Sequence, residues 1–90
     1  MLQHHVAFYL PSSPDKMVVA EVLDFPGVAS QGFDLQDARS MIAIALEDIA
    51  QLYLEQGRAL PVPKPSAEDP RADLIEKMPL TVGVPARNRS

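Results

Sequence analysis

Six carboxylates lie between Glu21 and Asp48, namely Glu21, Asp24, Asp34, Asp37, Glu47 and Asp48. Acids in such number could hold two divalent cations for phosphoryl chemistry, provided several converge on metals ~3.5 to 4 Å apart. Their placement argues against it. Metal-binding acids usually come from adjacent strand positions, and the first strand-like segment, His5 to Leu10, has none. Asp34 and Asp37 have a sufficient role at the start of a helix, and Glu47, Asp48 and Glu55 form its solvated face. His4 and His5 are neighbours, so in an extended segment they point to opposite sides and do not share a metal; they read as a frayed amino terminus. Cysteine is absent, no serine lies in a nucleophile-elbow context, and Gly27, Gly32, Gly57 and Gly83 are too scattered for a phosphate loop. Arg87 and Arg89 read as a solvated tail. These residues point to no enzyme, no cofactor and no metal.

The elements that would carry them follow from periodicity. His5 to Leu10 is rich in aromatic and β-branched residues and reads as a first strand. Pro11-Ser12-Ser13-Pro14-Asp15-Lys16 is a turn by composition, because both prolines lack a ladder N–H. Met17 to Leu23 reads as a second strand, with Val18, Ala20 and Val22 on one apolar face and Met17, Val19, Glu21 and Leu23 on the other. Pro26-Gly27 signals a type II turn: proline fixes φ at the first central position and glycine accepts the positive φ of the second. A short third strand, about Val28 to Gln31, precedes Asp34 at an N-cap position.

From Leu35 the residues Leu35, Ala38, Ile42, Ala45, Ile49 and Leu52 step by three or four, and Met41, Leu46 and Tyr53 widen the stripe. This spacing predicts an amphipathic helix from Leu35 to Gln56, closed by Gly57 as the left-handed residue after its end. Pro61, Pro63 and Pro65 then impose an extended connector over residues 59–66. A short helix is expected through Ala72 to Lys77 and a last strand over Pro79 to Pro85. The sum is one α+β domain over residues 1–90, in the order β-β-β-α-β: a mixed sheet with the long helix on one face. A right-handed crossover, with strands three, one and four parallel, favours the strand order 3-2-1-4. The other sheet face, with Ala7, Tyr9, Val19 and Glu21, is left uncovered and reads as an interface, and Tyr53 and Tyr9 read as amphipathic anchors at an oligomer or partner surface.

The run Leu23-Asp24-Phe25-Pro26-Gly27-Val28-Ala29-Ser30-Gln31-Gly32-Phe33-Asp34-Leu35-Gln36-Asp37-Ala38 joins the D-x-P-G-type turn, the short strand and the helix start. Leu52-Tyr53-Leu54-Glu55 and Leu60-Pro61-Val62-Pro63-Lys64-Pro65-Ser66 follow in order. Together, over roughly residues 5 to 66, these resemble the HicB-like antitoxin family, with Asp24, Pro26, Gly27, Gly32, Asp34 and Gly57 as the structural motif positions. The resemblance implies a partial RNase H-like fold and a protein that masks HicA, a basic RNase toxin, by contact. Family members commonly add a DNA-binding domain after the last strand. Six residues after Val84 are too few for one, so no direct nucleic-acid binding is expected.

Charge agrees with a basic partner. The chain has a net charge of −4, but residues 1–56 hold eight Asp/Glu against Lys16 and Arg39, giving −6. Such a body repels phosphate backbones and attracts basic proteins. Ninety residues bury only ~60 to 65% of their unfolded surface, and with no disulfide to supplement that core a homo-oligomer is expected. The amino terminus lacks a basic leader and no apolar run approaches the ~18 residues of a membrane span, which reads as cytoplasmic. The alternative to an antitoxin is a stand-alone homo-oligomeric binding module with no toxin partner.

Overall fold

The computed structural model describes residues 2–80. It contains β1 (Gln3–Tyr9), β2 (Val18–Val22), β3 (Ala29–Gly32), α1 (Leu35–Glu55) and β4 (Leu74–Pro79) in a four-stranded sheet of order β3-β2-β1-β4, with one long helix packed on it. The α+β class, the element order and the strand order are those expected from the sequence. In register, Val6 faces Val22 and Phe8 faces Ala20, while Val18 faces Gly32. The alternating apolar residues of β1 and β2 therefore share the helix-side face, and Val6, Phe8, Val18, Ala20 and Val22 form the core with Phe25, Val28, Ala38, Ile42, Leu46, Ala50 and Leu80.

The ends of α1 show why the helix starts and stops where it does. Asp34 Oδ1 accepts the Asp37 N–H at 2.8 Å, and Asp37 Oδ2 accepts the Phe33 N–H at 2.9 Å, so two donors near the helix start are satisfied reciprocally. At the other end Gly57 has φ +70°, and the Arg58 and Gly57 N–H groups close onto the carbonyls of Tyr53 and Leu54 at 2.8 and 3.1 Å. This is a Schellman closure. Gly27 has φ +86°, and the Val28 N–H meets the Phe25 carbonyl across Pro26-Gly27 at 3.4 Å, as the type II reading requires.

Three expectations are corrected. The sheet is antiparallel throughout, because β4 runs against β1, with Gln3 opposite Pro79 and Phe8 opposite Leu74. The connector explains the direction: a right-handed crossover straight off the helix would enter β4 parallel to β1, but 18 residues, 56–73, first carry the chain back along β1. Pro61 is bonded to His4 near the start of β1 and Asp69 to Tyr9 at its end, so the stretch between them runs the length of the strand. Second, residues 74–79 are strand rather than helix. Leu74, Glu76 and Met78 alternate with Ile75 and Lys77, and a helix of one or two turns could not compete with six residues paired to β1. The expected strand beyond Leu80 lies outside the described residues. Third, the α1 stripe is narrower than expected: Ala38, Ile42 and Leu46 are buried and Leu35, Ala45, Ile49 and Tyr53 pack against the core as the spacing predicts, but Met41 and Leu52 are 40% and 45% exposed and Ala50 is buried in addition.

The second sheet face is also less open than expected. Ala7 is fully buried and Tyr9 half-buried on that face, whereas Val19 and Glu21 are exposed. The connector accounts for the difference, because its bonds to Asp24 and Tyr9 bring it along the β1 side.

Candidate functional site

A buried polar cluster lies at the start of β1. Asp24, whose side chain has no exposed surface, accepts the His5 N–H at 2.8 Å, bonds His5 Nδ1 at 2.8 Å and accepts the Lys64 N–H at 3.1 Å. Burial pushes its carboxyl up, but the His5 and Lys64 bonds outweigh that and hold it below its ordinary value. Facing an ionised carboxylate, His5 Nδ1 is the donor. Nε2 makes no hydrogen bond among the described residues, so the pair lacks the nucleophile contact of an acyl-transfer site. Its visible role is to clamp the connector to the sheet.

On the opposite side of β1, His4 is fully buried, packs its ring on Phe25 with centroids 5.5 Å apart, and donates from Nε2 to the Pro61 carbonyl at 2.9 Å. Its Nδ1 is the buried side-chain polar atom left without a partner among the described residues. The frayed-terminus reading of His4 and His5 is therefore wrong: both are core residues that fix the path of the chain after the helix. Their alternation across a strand was visible in the sequence; their partners Asp24 and Pro61, 19 and 57 positions away, were not.

A third contact fastens the far end of the connector. Tyr9 donates to Asp69 at 2.8 Å and, more weakly, to Glu21 at 3.4 Å, while Arg71 pairs with Asp69 at 2.9 Å. Desolvation and the Asp69 carboxylate push the Tyr9 phenol up to about 12, and Arg71 with Tyr9 holds Asp69 well below the usual carboxylate range. Tyr9 is thus occupied within the chain. Tyr53 is occupied too: it meets Phe25 edge-on at 5.1 Å and carries the Arg58 guanidinium 3.9 Å over its ring. Of the four expected interface residues, Val19 and Glu21 remain exposed.

The motif positions turn out to be structural in different ways. Gly27 and Gly57 hold positive φ, Pro26 is exposed in its turn, and Asp34 caps the helix. Gly32 serves contact instead: a Cβ there would lie 2.3 Å from the Ala38 backbone nitrogen, where α1 meets β3. Glu21, Asp34, Asp37, Glu47 and Asp48 do not gather around Asp24, and among the described residues no three His, Cys, Asp or Glu side chains are grouped as metal ligands.

Phe33 and Val62 are the most exposed large apolar side chains among the described residues, and the outer side of α1 displays an aligned set. Met41, Ile44 and Leu52 are 40, 55 and 45% exposed there, beside Asp48 and Glu55. The helix has one base, Arg39, and it is drawn to Glu76 on β4 at 2.6 Å. No family model and no curated protein matches the chain.

Proposed function

We propose that this chain is a non-catalytic protein-binding module of the HicB-like antitoxin type, which masks a basic HicA-type RNase by direct contact in the cytoplasm. The observation that carries this reading is charge: all 12 Asp/Glu fall within residues 2–80 against six Lys/Arg, a balance of −6. Arg39 and Arg71 pair with Glu76 and Asp69, which leaves ten acids against four bases. Such a surface steers basic proteins toward it and repels phosphate backbones. The ordered turn, short strand and capped helix from Leu23 to Glu55 support the family resemblance. Among the described residues no helix is long and apolar enough to cross a membrane.

The decisive experiment is co-expression with a short basic reading frame adjoining the gene. Rescue of growth and co-elution of the two chains is expected. An adjoining toxin that remains fully active, or the lack of any such frame, would leave the second reading, a stand-alone homo-oligomeric module. That reading draws on Val19, 41% exposed on the open β2–β3 part of the second sheet face. Self-association there is compatible with either function, and analytical ultracentrifugation of Val19→Arg beside the unaltered chain measures it directly.

A further inference from the structure

The helix carries two apolar stripes and the fold uses one. Ala38, Ile42, Leu46 and Ala50 face the sheet. Met41, Ile44, Asp48, Leu52 and Glu55 also step by three or four, which sets them on one line along the outer side. Exposed apolar residues scattered singly need no explanation, but three aligned over ~16 Å of helix form a patch.

Among the described residues the acids on this line have no ion pair to balance them. Asp48 and Glu55 have no ion-pair partner among the described residues, and the last turn of α1 holds no base although the helix dipole favours one. Glu55 at that end is a local choice against helix stability, of the kind expected where a surface serves another purpose.

We propose that this outer face of α1 is the docking surface for a basic amphipathic helix of a partner protein. The inference rests on the protein-binding reading above and adds the surface and the shape of its partner. The 3–4 spacing matches the ridge of a helix rather than the two-residue repeat of a strand, so the recognition is helix against helix. Charge selects the occupant. A second copy would bring acids against acids, and nucleic acid or an anionic lipid surface would be repelled, whereas lysines or arginines flanking an apolar seam would meet Asp48 and Glu55.

The test is an NMR titration of the 90-residue chain with a synthetic helical peptide, leucines at i, i+3, i+4 and i+7 flanked by lysines, and with a scrambled peptide of the same composition. Shifts should concentrate at Met41, Ile44, Asp48 and Leu52 and weaken as salt rises. Ile44→Ser and Asp48→Lys should each reduce affinity about tenfold, while Val19→Ser on the sheet should leave it within about twofold. Equal binding of the scrambled peptide, shifts centred on β2 and β3, or an unaffected Ile44→Ser chain would overturn the proposal. If the double variant Ile44→Ser, Asp48→Lys still neutralises a basic RNase partner, this surface is wrong while the protein-binding reading stands.

Discussion

Asp24 shows what a single buried carboxylate does in a chain this small. Three N–H donors converge on it, two from His5 and one from Lys64, so Asp24→Ala would strand all of them in the interior. The expected loss is about 3 kcal/mol, read by urea unfolding. Because its folded pKa lies below the unfolded value, the stabilisation is complete above the ordinary carboxylate range and is lost as pH falls through the depressed one. Asp24→Asn should therefore lose less stability than the unaltered chain between neutral and strongly acidic pH; parallel losses would show that the carboxylate charge is irrelevant. Tyr9 works in the opposite direction. Its protonated phenol is the bonded form, so its contribution is present below pH 10 and is lost as pH rises toward about 12. Phenolate absorbance should report one tyrosine ionising near that value, absent in Tyr9→Phe. Asp24 was legible as a turn residue from its place before Pro26-Gly27. Its burial was not, because its partners His5 and Lys64 lie 19 and 40 positions away.

At the scale of elements, two glycines predicted from one motif differ in mechanism. Gly27 has open space around a Cβ but a positive φ, so Gly27→Ala should cost about 1 kcal/mol through backbone strain. Gly32→Ala must push α1 off β3, since the clash is with helix backbone that cannot rotate away, and should cost clearly more. Matching denaturation midpoints for the two variants would contradict that distinction. The helix itself was legible end to end because cap, stripe and terminal glycine agree. The edges of its stripe were not: Met41 and Leu52 are apolar at 3–4 spacing yet 40% and 45% exposed, and periodicity alone does not say how wide the buried face is. Leu46→Ala should cost about 2 to 5 kcal/mol and Ile44→Ala less than about 0.5. The reverse order would mean that the sheet sits on the other stripe. β4 was misread because Ala72 to Lys77 has good helix formers, and pairing with β1 overrides that preference.

For the whole molecule, strand order followed from short connections and alternation, while the direction of β4 depended on a path through residues 56–73 that no local pattern encodes. The three prolines made that path extended; His4, Asp24 and Tyr9 fix where it runs. The result is a thin body, 19 Å in its shortest dimension, with an acidic, partly apolar helix on one side. Function is then a matter of which molecule that surface attracts. The most direct measurement of the proposed function is a titration of RNA cleavage by any basic RNase found encoded beside the gene, with the purified 90-residue chain as inhibitor, at low and high salt. Complete inhibition is expected near equimolar ratio at low salt, with an association rate that falls steeply as salt rises. Unimpeded cleavage at excess chain, or nanomolar binding of the chain to operator DNA, would contradict the proposed function.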